Sequence, residues 1–252
     1  METVENAKKR KLQDDERPRK KNKKHRKKVR EDEADLDVEA GLNRAFERMD
    51  GQLLADHLAQ KTRRFGTDLS PIELSDLYIS ANYIRDSTSW EKPRSLENLP
   101  SFLEIFSRES EKLDEAPKKP GSPHTLIVTG AGLRAADLVR AVRKFQKKGN
   151  TVAKLFAKHF KLEEQVSFLQ KNRTGIAVGT PQRLTDLIEH GALSIKDLRR
   201  IVVDASHIDQ KKRGIADMRE TMLPLAKLLC RKDLKERYED EDPNRHIDLL
   251  FY

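Results

Sequence analysis

Two turns of the sequence combine free backbone N–H groups with side chains that could bind a phosphate. Gly130 and Gly132 form a glycine-rich turn between an apolar run and a helical pattern. A turn of this kind directs N–H donors and the helix dipole at an anion. Thr180 and Pro181 open a second helical pattern, where Arg183 adds a forked guanidinium. Polyanion binding is the chemistry that both turns suggest, although each is equally typical of plain architecture.

Other common chemistries lack the residues that they need. A nucleotide phosphate-binding loop requires a glycine followed by Lys and Ser or Thr, and no glycine of this sequence precedes a lysine. No motif places a Ser or Cys nucleophile for His159, which is predicted to be exposed to solvent. No Cys/His spacing indicates zinc, and no acidic residue completes a dinucleotide site. We therefore expect no metal, no cofactor and no small-molecule substrate.

The elements that position these turns alternate between strand and helix. Short apolar runs at Gly175–Val178 and Ile201–Val203 are typical of strands buried on both faces of a parallel sheet. Between them, Thr180 is a natural N-cap and Pro181 a natural first helical residue. Gly191 can take the left-handed conformation that ends a helix. The unit is a right-handed strand–helix–strand crossover, which predicts an α/β fold with a parallel sheet.

The rest of the chain divides into predicted helices, strands and connections. Apolar residues at helical spacing predict helices at Ala40–Phe65 (weakened in its middle by Gly51), Ile72–Ile84, Ser101–Phe106, Leu133–Phe145 and Ala216–Leu229. Short apolar runs predict strands at Thr125–Thr129, Thr151–Phe156 and Ile247–Tyr252. Pro117–Pro123 is expected to be a linker and Lys235–Arg245 a loop. Trp90 could stack on an RNA base, but burial is the commoner fate of a single tryptophan.

The excess positive charge lies in the first 30 residues, which contain 14 Lys or Arg and five Asp or Glu, whereas the remainder holds 37 of each sign. The basic clusters are Lys8, Lys9, Arg10 and Lys11, followed by Arg19, Lys20, Lys21, Lys23, Lys24, Arg26, Lys27 and Lys28. Two such clusters are typical of a two-part nuclear-import signal, and they bind polyanions with steep salt dependence. The alternative is a solvated tail with no further role.

Composition argues against several classes of protein. The single cysteine, Cys230, leaves no internal disulfide pair and fits a reducing compartment. No run of about 18 apolar residues predicts a membrane span, and no apolar segment near the N-terminus predicts a secretory signal. Charged residues make up 37% of the chain and hydrophobic residues 36%, so part of it is expected to be disordered.

Three landmarks, in order along the chain, give the predicted sheet a resemblance to DEAD-box RNA helicases. TLIVTGAGLRAAD at Thr125–Asp137 resembles the strand and turn of the PTRELA motif, and GTPQRLTDLI resembles the TPGR motif. VVDASH at Val202–His207 lies where the LDEAD strand of those helicases ends. The resemblance covers about half of the chain, from His124 to Met218, and implies a single degenerate RecA-like lobe.

The departures from the helicase pattern decide what the resemblance implies about activity. Asp204 stands at the position of the carboxylate that holds the magnesium shell, while Ala205 replaces the glutamate that activates water, and Ser206 and His207 follow. Without that glutamate and the phosphate-loop lysine, ATP hydrolysis by the usual route is not expected. The resemblance assigns contacts with the RNA backbone to Thr129, Gly130, Arg134, Thr180, Gln182 and Arg183, with Gln182 standing where helicases have a glycine.

One family is similar in further segments, KLFAKHFKLEEQ at Lys154–Gln165 and the run Asp209–Lys211. The chain is identified as a member of this small nuclear family of degenerate DEAD-box-like proteins (CMS-one-like), associated with the 90S pre-ribosome or small-subunit processome. Membership implies a non-enzymatic factor of the nucleus and nucleolus that acts in ribosome biogenesis and rRNA processing. Its partners would be pre-ribosomal RNA and processome proteins.

Two alternatives remain open at this point: an RNA-remodelling protein with residual ATP binding through Asp204, and a pure protein-interaction module. In each case the predicted organisation is the same. Residues 1–39 form a disordered tail, basic and then acidic. Residues 40–120 form a helical extension and linker, and residues 121–252 form the degenerate RecA-like lobe.

Overall fold

The computed structural model describes residues 34–108, 111–158 and 160–252. The predicted targeting clusters between Lys8 and Lys28, most of the predicted tail, and His159 lie outside the described residues. Residues 37–252 form one compact unit. Within this unit, apolar residues from the segment 40–120 share a hydrophobic core with the strands.

A five-stranded parallel sheet organises this unit. The strands in chain order are β1 (Leu36–Asp37), β2 (Leu42–Asn43), β3 (Thr125–Val128), β4 (Thr151–Leu155), β5 (Thr174–Gly179), β6 (Arg200–Val203) and β7 (Asp248–Phe251). The last five form one sheet in the spatial order β4–β5–β3–β6–β7, and every pairing in it is parallel. The predicted α/β class is confirmed, and the ends of all five strands lie within one residue of the predicted ends.

Eight α-helices are found among the described residues. They are α1 (Gly51–Phe65), α2 (Pro71–Asp76), α3 (Leu99–Ile105), α4 (Gly132–Ala141), α5 (Leu162–Lys171), α6 (Pro181–Glu189), α7 (Arg219–Leu229) and α8 (Lys232–Tyr238). Short 3-10 segments lie at Arg44–Arg48, Ala81–Tyr83 and Val142–Phe145. The predicted helices around α3, α4, α6 and α7 are confirmed, and Gly191 has the predicted positive φ of 77°. No helix in the described ranges is long and apolar enough to cross a bilayer.

The single helix predicted for Ala40–Phe65 is wrong, because a helix start lies in its middle. The Asp50 side chain accepts a hydrogen bond from the Leu53 backbone N–H at 2.8 Å, which caps α1. Gly51 is therefore the first residue of a helix and not a weak point inside one. Its lack of a side chain suits the position, since a Cβ atom there would lie 3.0 Å from the Ala81 carbonyl oxygen.

The helix predicted for Ile72–Ile84 ends early, at Asp76. The chain then runs to the edge of the sheet, where Ile84 forms a parallel bridge with Leu249. The Arg85 backbone N–H donates to the Leu249 carbonyl at 2.9 Å. This tertiary pairing holds the backbone extended and outweighs the local helical spacing.

The predicted linker packs against the rest of the fold, α8 extends into the predicted loop, and one further helix was not predicted. In the supposed linker, Ser122 is buried and its hydroxyl donates to Asp197 at 2.6 Å. The loop predicted for Lys235–Arg245 starts four residues late in the structure, because α8 runs to Tyr238, where Leu234 and Tyr238 are buried four residues apart on one side of the helix. Helix α5 was missed, although its apolar residues follow helical spacing.

Helices cover both faces of the sheet. Along β3, Leu126 and Val128 belong to one hydrophobic cluster and Ile127 to the other, as alternation along a strand requires. Trp90 belongs to the second cluster, where its ring packs edge-on against Phe102 with centroids 5.5 Å apart. Trp90 is only 5% exposed, so the burial alternative is confirmed and base stacking is not available to it.

Candidate functional site at the carboxyl edge of the sheet

The predicted site residues meet at one edge of the sheet. Strands β3, β5 and β6 are neighbours and end in register. Because parallel strands present their carboxyl ends at the same edge, the residues that follow them lie side by side. These residues are Thr129, Thr180 and Asp204, and we call this region the carboxyl edge.

The Asp204 carboxylate is buried and bonded to the protein through both oxygens. Arg134 donates from Nη2 to Oδ1 at 2.9 Å and from Nε to Oδ2 at 3.0 Å. Thr129 donates its hydroxyl to Oδ2 at 2.7 Å. The Asp204 side chain is 1% exposed and that of Arg134 is 9% exposed. A bidentate pair of this kind combines charge with fixed geometry, so the carboxylate is neutralised in place.

The local sequence explains how Arg134 reaches Asp204. The turn at Gly130 brings the chain from β3 into α4, and Arg134 is the third residue of that helix. Long side chains in helices point back toward the N-terminus, which here faces the carboxyl edge. Gly132 permits the close approach of this helix start to the end of β4, since a Cβ atom would lie 3.2 Å from the Phe156 ring.

Thr129 and Arg134 were predicted to contact RNA phosphates, and the structure places both side chains elsewhere. Thr129 is 1% exposed and Arg134 8% exposed, and both bond Asp204. In this arrangement the Thr129 hydroxyl and the Nε and Nη2 groups of Arg134 are bonded to the Asp204 carboxylate, and contact of these two residues with RNA stays a prediction. Of the three residues assigned from this turn, only Gly130 is partly exposed.

The residues at this edge do not fit a magnesium–nucleotide site. Magnesium requires carboxylate oxygens that can face the ion or its water shell, and both oxygens of Asp204 face Arg134. Ala205 is buried and offers no general base. In the part of the chain that the structure describes, no group of three or more His, Cys, Asp or Glu side chains could hold a metal ion.

The second predicted turn presents a different surface. Thr180 occupies the N-cap position of α6 as predicted, but its side chain makes no capping hydrogen bond. Gln182 is exposed and donates to Asp186 at 2.8 Å. Arg183 is half-buried and donates through Nη1 to Gln165 at 2.7 Å. These three residues remain at the surface, unlike Thr129 and Arg134.

Gln165 joins three elements at this edge and was missed by sequence reasoning. Its side-chain NH₂ donates to the carbonyls of Lys154 at 2.8 Å and Phe156 at 3.1 Å, while its oxygen accepts from Arg183. The side chain thereby ties α5 to the end of β4 and to α6. The available signal was a glutamine on the apolar side of a helical pattern, one position before Val166.

Residues 41–43 pair with the segment that follows Ala205. The Asn43 N–H donates to the Ser206 carbonyl at 2.7 Å, and the Ile208 N–H donates to the Gly41 carbonyl at 2.9 Å. His207 lies in this antiparallel bridge, and burial lowers its pKa below the usual value. The segment after Ala205 is therefore held in a backbone pairing within the fold.

Comparison with known proteins gives a match over almost the whole chain. The family model described as "CMS1: U3-containing 90S pre-ribosomal complex subunit" matches residues 2–252. Protein CMS1 of Chaetomium thermophilum is 80% identical over 247 residues, which make up 98% of this chain and 97% of that protein. Protein cms1 of Schizosaccharomyces pombe is 29% identical over 79% of this chain and 69% of its own length.

Among solved structures, the chain is similar to the RNA helicase Prp28 from Chaetomium thermophilum bound to ADP. The match has 21% identity and a TM-score of 0.42, and covers 78% of this chain and 42% of that one.

Proposed function

Because the chain belongs to the CMS1 family, described as a U3-containing 90S pre-ribosomal complex subunit, we propose that it acts in the 90S pre-ribosome and has no enzymatic activity. The family makes it a ribosome biogenesis factor of the 90S pre-ribosome. The chain serves as an RNA-binding or scaffold component of the early small-subunit pre-ribosome, takes part in rRNA processing, and resides in the nucleus and nucleolus.

The observation that supports a non-enzymatic role is that both carboxylate oxygens of Asp204 accept hydrogen bonds from within the protein. Phosphoryl transfer depends on metal ions and positioned charges that neutralise the phosphates. At the carboxyl edge the corresponding carboxylate is neutralised by Arg134 and bonded by Thr129. Ala205 follows where a helicase has its base. The same charges therefore stabilise the lobe and do not serve a nucleotide.

Two parts of the chain support contact with RNA. The basic clusters between Lys8 and Lys28 carry the charge for nuclear import and for electrostatic capture of RNA. At the carboxyl edge, Gly130, Thr180, Gln182 and Arg183 remain at the surface, next to the start of α6. Helix N-termini favour phosphate, so this surface is the part of the edge proposed to contact the RNA backbone.

A residual ATP-binding function is the first alternative. It requires magnesium-dependent binding of ATP that the substitution Asp204→Ala abolishes. A pure protein-interaction module is the second alternative, and it requires that RNA binding be unaffected by Arg183→Glu. Reversing the charge of Arg134 does not discriminate, because that residue is buried and its loss would disturb the fold.

Ultraviolet cross-linking of the tagged protein in living cells, with sequencing of the attached RNA, tests the proposed function. Reads concentrated on the ribosomal-RNA precursor or on the U3 RNA are expected. A nuclear protein with a basic tail but no pre-ribosomal role serves as the control for unspecific capture. Reads scattered over all transcripts in the same way as this control would refute direct RNA contact within the pre-ribosome.

A further inference from the structure

A strongly basic surface lies at the opposite, amino-terminal edge of the sheet. It comprises residues 112–119, 143–148 and 171–173, which precede β3, β4 and β5 respectively, and we call it the amino-edge patch. Its basic residues are Lys112, Lys118, Lys119, Arg143, Lys144, Lys147, Lys148, Lys171 and Arg173. Its acidic residues are Asp114 and Glu115. None of these residues carries the resemblance to helicases.

Contacts between the three segments bring the charges together. Arg173 donates through Nε to the Pro117 carbonyl at 2.9 Å and through Nη2 to the Ala116 carbonyl at 2.5 Å. Lys147 forms an ion pair with Asp114. The Thr151 N–H donates to the Arg173 carbonyl at 3.1 Å. Neighbouring strands lie about 4.8 Å apart, so segments that enter adjacent strands form one continuous surface.

Most of the positive charge of the patch faces solvent. Both acidic residues are already paired, Asp114 with Lys147 and Glu115 with Lys112. Lys118, Lys119, Arg143, Lys148 and Lys171 are exposed and form no ion pair with any described residue. The chain beyond residue 30 has equal numbers of basic and acidic residues. The three segments carry nine basic against two acidic residues, which is a local accumulation of charge, and one of the nine, Lys144, pairs with Glu104 outside them.

We propose that the amino-edge patch binds the phosphate backbone of the RNA in the pre-ribosome. This inference rests on the proposed function, because it takes RNA to be the polyanion at hand. Lysine and arginine side chains that neutralise phosphates supply most of the affinity of such contacts. The patch would add to the basic tail a second contact that has a fixed place on the folded unit.

The make-up of the patch favours RNA over an acidic protein. Protein interfaces have an apolar core with aromatic anchors, whereas contacts to a nucleic-acid backbone are polar and positively charged. The exposed large hydrophobic residues of the described chain are Val38, Leu53, Ile72, Tyr78, Ile105 and Leu133. None lies within the three segments, and only Ile105 borders them, in a cavity that it lines with Lys112 and Lys144. Without an exposed aromatic ring the patch offers no stacking platform for bases. The proposed contact is therefore independent of the RNA sequence.

Mass spectrometry of the peptides cross-linked to RNA in living cells tests the location of the contact on the full-length protein. The proposal predicts cross-links in peptides that contain Lys118, Lys148 or Lys171. If pre-ribosomal RNA is attached only through tail or carboxyl-edge peptides, the proposed RNA contact of the amino-edge patch is wrong and the proposed function stands. If no pre-ribosomal RNA is attached to any peptide, direct RNA contact fails and the patch fails with it.

A matched pair of variants measures the contribution of the patch to affinity. The patch variant carries Lys118→Gln, Lys119→Gln, Lys148→Gln and Lys171→Gln. The control variant carries the same loss of charge at exposed positions elsewhere, as Arg63→Gln, Lys211→Gln, Lys227→Gln and Lys232→Gln. Both are made in the full chain, and thermal unfolding confirms that each folds like the wild type.

Binding of a fluorescent duplex RNA is then measured between about 50 and 200 mM salt. Each phosphate contact contributes about 0.9 to the slope of log affinity against log salt. The patch variant is expected to flatten this slope by about 2 to 4 and the control variant by less than about 1. Equal slopes for the two variants would overturn the proposal, because unspecific charge would then explain all of the binding.

Discussion

Arg134 holds Asp204 in a bidentate ion pair at the carboxyl edge of the sheet, with Nη2 2.9 Å from Oδ1 and Nε 3.0 Å from Oδ2. The two residues are 70 positions apart and lie on adjacent parts of the fold, at the start of α4 and the end of β6. A guanidinium group thus supplies the positive charge next to a carboxylate that by resemblance would face magnesium. At the carboxyl edge, the Arg134–Asp204 ion pair therefore serves to hold the fold together.

The substitution Arg134→Ala is expected to lower the free energy of unfolding by about 3–5 kcal/mol, because it leaves a buried carboxylate without its partner. Chemical denaturation of the two proteins measures the difference. Arg140→Ala is the control on the same helix, since Arg140 pairs with Asp137 at the surface. That pair is expected to contribute less than about 1 kcal/mol.

A double-mutant cycle with Asp204→Ala separates the ion pair from general disruption. If the pair is the cause, Arg134→Ala adds little to the destabilisation in the Asp204→Ala background. Additive effects of the two substitutions would show that Arg134 stabilises the lobe in another way.

Gly121→Ala is predicted to destabilise the protein more than Gly149→Ala. Both glycines have positive φ, at 66° and 80°, so both substitutions carry a backbone cost of about 1–2 kcal/mol. A Cβ atom at Gly121 would also lie 2.4 Å from the Ala192 carbonyl oxygen, whereas nothing lies within 4 Å at Gly149. Overpacking of this kind adds about 1–3 kcal/mol. Equal unfolding midpoints for the two variants would contradict the tight docking of this segment.

Gln165→Ala is expected to cost about 1–3 kcal/mol, because it leaves the carbonyls of Lys154 and Phe156 without their donor. Arg183 loses its acceptor at the same time. Gln170→Ala on the exposed side of α5 is the control and should change the stability by less than about 0.5 kcal/mol. Matching losses in the two variants would mean that Gln165 does not hold this edge together.

Acid is predicted to destabilise the protein through His124. Burial lowers the pKa of this histidine from 6.5 to about 4. The unfolded chain therefore binds more protons than the folded protein between these values, and the free energy of unfolding falls as the pH drops from about 6.5 to about 4. One such proton changes the stability by about 1.4 kcal/mol per pH unit.

Denaturation curves recorded across this pH range compare the wild type with His124→Gln. The variant is expected to lose less stability on acidification, and His190→Gln, which alters an exposed histidine, should follow the wild type. Parallel pH profiles for the wild type and His124→Gln would show that His124 does not cause the acid sensitivity.

The five strands of the sheet could be predicted because each contains a short apolar run. Four of them are buried along their whole length, as at Ile201–Val203, while the edge strand β4 exposes Lys154. Helix boundaries in residues 40–84 could not, because tertiary contacts decide them. Asp50 caps a helix inside an uninterrupted apolar pattern, and Ile84 leaves the helical spacing to pair with Leu249.

The contacts within the candidate site could not be predicted from the local sequence either. Sequence reasoning placed Asp204 and Arg134 at one edge by resemblance, yet nothing local indicated that they bond each other. The amino-edge patch is formed by three segments far apart in the chain, and only the order of the strands brings them together. The local sequence pattern predicts helices and strands, while contacts between distant residues can be located only once the order of the strands in the sheet is known.

A calorimetric titration of magnesium–ATP into the full-length protein, with a working DEAD-box helicase as the positive control, shows whether Asp204 serves a nucleotide or the fold. Because Arg134 and Thr129 occupy the Asp204 carboxylate, no saturable heat is expected. Saturable binding that disappears in the fully folded Asp204→Asn variant would contradict the account, since this carboxylate would then serve a nucleotide and not the fold.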